Sequence, residues 1–256
     1  MMHLAPSDGV AIVTGAGSGL GRALAVELVA RGFTVAGIGR RADALDGTAE
    51  QAGSAFHAFA ADIADPAQVA GTFSRIRESL GPVALLINNA AVYPRRDFLD
   101  ETAAAYMHTV AINLGGTVAC TRAALEDMCR TGRGRILNVA TFADIAPLPA
   151  SSAYSVSKGA ARIFTRALIA DLGDRFPGIV IGDWMPGMLK TGMGIPDGVA
   201  PEVSARWGVA LALDMAPDLT GAVFEMDTEV LPPRGLKGRV KDLVLMRRRT
   251  PRRLQT

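Results

Sequence analysis

Tyr154 and Lys158 stand four positions apart in Ser152-Ala153-Tyr154-Ser155-Val156-Ser157-Lys158, and a helix would set them on one face, one turn from each other. A phenol with a pKa of ~10 is a poor proton donor or acceptor at neutral pH. A neighbouring ammonium favours the phenolate and draws that value towards the range where general acid–base catalysis works. The same spacing occurs on many inert helix surfaces, so the rest of the chain has to supply a site around it. Other chemistries find little support. The three histidines, His3, His57 and His108, lie in unrelated segments and none pairs with a cysteine at ligand spacing, so no metal site is expected. No Gly-x-Ser-x-Gly elbow is followed by a histidine, which leaves a serine hydrolase unsupported. Cys120 and Cys129 fall nine residues apart in a helical-looking segment, roughly 13 Å along the axis and too far for a disulfide. With no signal-peptide pattern and no apolar run near the ~20 residues of a membrane span, a reducing, cytoplasmic setting is the expectation.

The elements that must carry such a pair can be read in order. Val10-Ala11-Ile12-Val13-Thr14 is a short apolar, β-branched run, a buried strand. Gly15-Ala16-Gly17-Ser18-Gly19-Leu20-Gly21 follows directly and leads into a helical stretch, Arg22 to Arg31, with Leu20, Leu24 and Leu28 at helical spacing. Glycines there let the backbone approach a pyrophosphate, and the helix N-terminus offers free N–H groups and a positive dipole. The alternative is an ordinary glycine-rich βα turn. A second strand, Phe33 to Gly39, runs into Arg40-Arg41, with Asp43 the nearest acid. An acid at that place bonds the ribose hydroxyls of NAD, whereas a base suits the extra phosphate of NADP. Arg40, supported by Arg41, therefore points to NADP(H), with a solvated loop pair as the alternative.

Ala55 to Ala61 is a third strand ending in Asp62-Ile63, and Pro66 to Ser79 an amphipathic helix. Val83 to Ile87 is a fourth strand, ending in Asn88-Asn89-Ala90-Ala91, which sets two amides where open α/β sheets bind ligands. Thr102 to Cys129 reads as one long helical region with Asn113 in an otherwise apolar turn. Strands follow at Arg135 to Ala140, just before Thr141, at Ile179 to Trp184, before Pro186-Gly187, and at Gly221 to Met226, with the Tyr154 helix running to about Asp174. This alternation predicts an α/β fold, a single-domain Rossmann-type doubly wound parallel sheet with helices on both faces. Hydrophobic residues are 49% and charged residues 20%, enough for a sizeable core and too few charges for a disordered chain.

The net charge of +2 is uneven: Lys237 to Thr256 holds eight basic residues and one acid, leaving −5 on residues 1–236. Residues 1–235 are read as one catalytic domain and 236–256 as a basic tail, an amphipathic helix or disordered. Leu236, Val240, Leu243 and Val244 fall at helical spacing, and such a face could meet an acidic carrier protein, an acyl thioester or a membrane surface; the alternative is a solvated tail whose apolar face packs on its own domain or a neighbouring subunit. No nucleic-acid motif accompanies the charge.

As an ordered set, Thr14 to Gly21, Asp62-Ile63, Asn88-Asn89-Ala90, Asn113, Thr141, Tyr154-x-x-x-Lys158 and Pro186-Gly187 with Thr191 resemble the short-chain dehydrogenase/reductase family over roughly residues 8 to 228. The resemblance implies that Tyr154 exchanges a proton with the substrate oxygen, while Lys158 lowers its pKa and holds the nicotinamide ribose. Asn113 would keep a water in a proton relay, and Thr141 would stand where the family usually has a serine on the substrate carbonyl. It also implies a pyrophosphate side made by Gly15, Ser18, Gly19, Leu20 and Gly21, adenine contacts from Asp62 and Ile63, and a cofactor border at Asn89 and Ala90. Pro186, Gly187, the Leu189 backbone and Thr191 would hold the nicotinamide end, and a homodimer or homotetramer would form on the Thr102 and Tyr154 helices.

Two positions depart from the pattern: Thr141 adds a methyl group to the hydroxyl, and Ala91 replaces a glycine that could need a positive φ. The expected function is NADP(H)-dependent interconversion of a carbonyl and a secondary alcohol. A dehydratase or epimerase using the same residues, or a silent NADP-binding regulatory protein, are the alternatives. Tyr93, Phe142, Pro147, Leu148 and the loop after Pro186 are expected to face the substrate. Arg95-Arg96 are candidates for an anionic group on it, or plain surface arginines.

Overall fold

Strands that are buried on both faces read as continuous apolar runs, and these become the centre of one sheet. The computed structural model describes residues 3–232 and 250–255. In chain order its elements are β1 (Val10–Thr14), α1 (Gly19–Ala30), β2 (Val35–Gly39), α2 (Ala42–Ala52), β3 (Phe56–Ala60), α3 (Pro66–Leu80) and β4 (Val83–Asn88). They continue with α4 (Ala103–Val110), α5 (Gly116–Thr131), β5 (Gly134–Val139), α6 (Ser152–Leu172), β6 (Ile179–Met185), α7 (Pro201–Leu213), β7 (Val223–Glu225) and β8 (Thr228–Glu229). The sheet order is β3-β2-β1-β4-β5-β6-β7-β8, parallel except for the last pair. The chain winds outward in one direction from β1 to β3 and in the other from β4 to β7. This reversal opens a crevice beyond the carboxyl ends of β1 and β4, the place where open α/β sheets take ligands.

Two buried clusters cover the faces. One packs Leu24, Leu28, Trp184, Val209 and Phe224 around α1 and α7, and the other packs Ile12, Phe73, Ile76, Cys120, Met128 and Ile136 under α3 and α5. Trp184 is fully buried, and its indole N–H donates to the Met226 carbonyl at 3.0 Å.

Three differences from the sequence reading have physical causes. The expected single helix from Thr102 to Cys129 is broken by a π-helical turn, Ala111–Gly115, between α4 and α5, and Asn113 lies in that turn. Helices α2 and α7 are absent from the sequence reading. Helix α2 buries only Leu45 and Thr48, so its apolar signal is thin, and α7 buries Val209, Leu211 and Leu213 among the small residues Ser204, Ala205, Gly208 and Ala212, which leaves little apolar contrast between its faces. Of the expected basic tail, residues 233–249 lie outside the described residues. Residues 250–255 run extended, not helical: Arg253 bridges Thr228, the Arg252 carbonyl accepts from Glu229 N at 2.9 Å, and Leu254 packs on the core.

Candidate active site

The glycine loop leaves β1 with two backbone positions that L side chains rarely take, Gly15 at φ 69° and Gly19 at φ 51°. A Cβ on Gly15 would meet the Ala90 Cα at 2.9 Å, and one on Gly21 would overlap the Gly15 carbonyl oxygen. Only hydrogen atoms fit there, so β1, α1 and the end of β4 close on one another around the loop. Ser18 precedes α1 without its side chain capping the helix, so the first-turn N–H groups keep their capacity for a ligand. This cradle fits a dinucleotide pyrophosphate.

Two residues not singled out from sequence hold the loop. Arg22 donates to the Gly17 carbonyl at 2.7 Å and to Thr48 Oγ1 at 3.0 Å, while Thr48 donates to the Ala16 carbonyl at 2.9 Å. Their signal required knowing that α2 packs on the loop.

Beside the loop, Asn89 donates from Nδ2 to the Thr14 carbonyl at 2.9 Å, and the Thr14 hydroxyl accepts from the Asn89 and Ala90 amides at 3.0 Å each. Ala91 has no positive φ, so alanine sits there without the strain considered from sequence. At the end of β2, Arg40 and Arg41 are exposed on the cleft wall, with Asp62 and Ile63 from the end of β3 alongside.

Helix α6 delivers the proton-transfer candidates. Lys158 is buried and donates from Nζ to the Val139 carbonyl at 2.8 Å, and Tyr154 lies one turn before it, half-buried. Thr141 opens a short 3-10 turn, Phe142–Asp144, and its Oγ1 accepts from Ala143 N at 3.2 Å. Arg162, a further turn along α6, donates to the Thr141 carbonyl at 2.9 Å and pairs with Asp144 at 2.6 Å, clamping this turn against the helix.

Burial dominates the electrostatics. It pushes the Tyr154 phenol up, with the Thr141 hydroxyl the leading influence in the other direction. It pushes the Lys158 ammonium down to about 8, against the pull of Asp183 and Asp144. The Thr141 hydroxyl thus opposes the effect of burial on the phenol.

Asn113 is fully buried in the π-helical turn. It does not line the cleft. Its Oδ1 accepts from Val92 N at 2.8 Å, and its Nδ2 donates to the Val92 carbonyl and to Ser157 Oγ, each at 2.9 Å. Ser157 donates in turn to the Tyr154 carbonyl at 2.8 Å. Asn113 therefore ties the π-turn to the strand-end loop and to the Tyr154 turn of α6.

The loop after β6 turns at Gly187, φ 84°, and folds back on itself: Lys190 N donates to Val199 O at 2.9 Å, and Ile195 N to Leu189 O at 2.9 Å. It sets Thr191 against Gly19, where an added Cβ would stand 3.2 Å from the Thr191 methyl. One cleft of about 1050 Å³ collects the glycine loop, Arg40, Arg41, Asp62, Ile63, Asn89, Ala90, Thr141, Tyr154, Lys158, Pro186, Gly187, Leu189 and Thr191. Among the described residues no cluster of metal-ligating side chains exists, and no helix is long and apolar enough to cross a membrane.

Below Lys158 lies a buried polar ladder across the sheet. Asn88, Asn138 and Asp183 are neighbours in register on β4, β5 and β6. Asn88 donates to Asn138 at 2.8 Å, Asn138 to Thr165 Oγ1 at 2.9 Å, and Thr165 to the Asp183 carboxylate at 2.7 Å. Arg162 and Arg166 also favour its charge, yet burial raises Asp183 from 3.8 to about 6. A carboxyl raised by folding binds its proton more tightly in the native state. Its stabilisation is full below pH ~4 and is lost as pH rises through about 6. Asp183→Asn is therefore expected to gain on the order of 2 kcal/mol relative to wild type between pH 4 and 7. Urea melts of both proteins at the two pH values check this, and a pH-independent difference would sink it.

The comparisons agree with this geometry. The family model described as short chain dehydrogenase matches residues 9–198. The chain is 30% identical to 2-(S)-hydroxypropyl-CoM dehydrogenase 3 of Xanthobacter autotrophicus, over 85% of this chain and 94% of that one. It is 33% identical to galactitol 2-dehydrogenase (L-tagatose-forming) of Cereibacter sphaeroides, over 81% and 80%. A solved structure described as a candidate betaketoacyl-ACP reductase superposes with a TM-score of 0.76 at 28% identity, covering 86% of this chain and 96% of that one. The chain belongs to the short-chain dehydrogenase/reductase family and is an NAD(P)-dependent oxidoreductase acting on CH–OH groups.

Proposed function

We propose that the protein interconverts a carbonyl and a secondary alcohol with NADP(H), Tyr154 serving as general acid in reduction and general base in oxidation. The observation that carries this reading is the meeting of Tyr154, Lys158 and Thr141 on the wall of the cleft that the glycine loop opens. The dinucleotide, when bound, supplies or accepts the hydride. The Tyr154 phenol faces the substrate oxygen, and the Thr141 hydroxyl orients that oxygen and the phenol together. Lys158, held by the Val139 carbonyl, supplies a positive charge below them and reaches for ribose hydroxyls. Asn113, through Ser157, fixes the turn from which Tyr154 projects.

Thr141→Ser is expected to keep activity and Thr141→Val to lose most of it; equal activity in both would remove the hydroxyl from the mechanism. The cofactor preference rests on Arg40 and Arg41 at the end of β2, where no acid stands. Arg40→Ala should shift the NADPH-to-NADH ratio of kcat/KM towards NADH by at least about tenfold, in line with one lost charge-assisted contact to phosphate. An unchanged ratio would end Arg40's role. NADPH oxidation across ketones, 3-oxoacyl thioesters and steroids tests the reaction class, and tight NADPH binding without turnover on any of them would favour a regulatory role. The same proposal takes residues 1–235 as one catalytic domain in the cytoplasm. It also includes a dimer or tetramer on α4, α5 and α6, where Met107, Val118, Val156 and Ile163 are exposed; a monomer mass by light scattering would refute the assembly.

A further inference from the structure

We infer that the substrate carries an anionic group, held by Arg95 above the Tyr93 ring, beside an apolar body. The inference rests on the proposed function for which end of the cleft receives substrate, and it goes further by naming the substrate class. Tyr93 stacks on Tyr154 with ring centroids 4.4 Å apart, and the Arg95 guanidinium lies over the Tyr93 ring at 5.4 Å. The cation is therefore less than about 10 Å from the reacting phenol's ring, two aromatic stacking steps away.

Arg95 is exposed, and groups from both sides of the cleft meet it. The stack comes from the segment after β4, and Arg95 Nη2 donates at 3.4 Å to the Gly194 carbonyl of the loop after β6. That long contact leaves most of the guanidinium's donors for a ligand. Among the described residues no carboxylate pairs with Arg95, whereas Arg77 and Arg162 have carboxylate partners at 2.7 and 2.6 Å. The neighbouring walls are apolar and open to the cleft: Phe142, Leu148, Met188 and Met193 are 37 to 48% exposed. A planar fork of donors over an aromatic ring fits a carboxylate or sulfonate bidentately, and the apolar walls fit a hydrocarbon body. Of the other cations, Lys158 is buried on the Val139 carbonyl, Arg40 and Arg41 stand at the end of β2, Lys190 is on the loop after β6, and Arg96 is next in sequence. Arg96 lines an adjoining depression with Glu101 and His108, which shares Tyr93 and Met193 with the cleft, and neither Arg96 nor Lys190 lies over the Tyr93 ring.

The test is calorimetric and independent of turnover. NADPH is titrated first, and hexanoate or hexan-1-ol is then titrated into protein with and without it. Wild type is expected to bind hexanoate at least about tenfold more tightly than hexan-1-ol. Arg95→Gln should bring the ratio close to one and Arg95→Lys keep part of it, while Arg96→Gln and Lys190→Gln leave it unchanged. Equal affinity for the two probes in wild type, binding of neither, or an unchanged ratio in Arg95→Gln overturns the inference. Failure of NADPH to bind would instead count against the proposed function, because the probe titrations without NADPH still report on Arg95.

Discussion

Replacing Tyr154 by phenylalanine is expected to lower kcat by roughly 10²- to 10⁴-fold, the range of a lost general acid or base. The substitution removes one oxygen and keeps the ring, so the stack on Tyr93 at 4.4 Å and the packing of α6 should survive. Melting temperature and NADPH affinity should stay near wild type, which separates loss of proton transfer from loss of structure. Steady-state kinetics beside a thermal melt and an NADPH titration give all three readings. Retention of more than about a tenth of wild-type kcat would place the proton donor elsewhere. Burial raises Tyr154, and the nearby Thr141 hydroxyl is what opposes it, so Thr141→Val should weaken the same step from the other side.

Gly21→Ala should be the most damaging change in the cofactor cradle. Its Cβ would overlap the Gly15 carbonyl oxygen and stand 2.6 Å from the Asn89 side-chain nitrogen. The Asn89 amide is tied to Thr14 at 2.9 Å and the Gly15 amide to the Ile38 carbonyl at 2.7 Å, so neither neighbour can retreat without breaking a strand-end contact. Overpacking of this kind costs about 3 kcal/mol, and displacing the loop should weaken NADPH binding by about a hundredfold. Gly71→Ala in α3 is the control: nothing lies within 4 Å of its Cβ position, so alanine should stabilise by about 1 kcal/mol. Urea melts of both variants with NADPH titrations check the contrast. A Gly21→Ala protein that melts and binds like wild type would contradict the packing of α1 on Gly15.

Much of the molecule was legible because local physics and tertiary structure agree at those places. The apolar runs at Val10 to Thr14 and Val83 to Ile87 had to be buried strands, and a glycine run followed by a helical period had to be a turn into α1. Helix α2 was illegible because two buried residues in eleven leave almost no period, and α7 because its large buried residues are interspersed with small ones, among them Gly208 against Trp184.

The site divides in the same way. Residue types and spacing along the chain determined the order of strands and helices, the glycine cradle, and a phenol and ammonium one helical turn apart, because those depend on contacts between near neighbours. What each polar group faces was decided by the fold. Asn113 bonds Val92 and Ser157 instead of opening to the cleft, Arg22 and Thr48 hold the glycine loop, and Asp183 ends a hydrogen-bonded ladder across three strands. Those partners lie between 5 and 44 residues away in sequence, and most of the distances come from winding the sheet. The Tyr154–Lys158 spacing was set by the chain; its burial, and with it the direction in which both groups titrate, was set only when β5, β6 and the turn at Thr141 closed around α6.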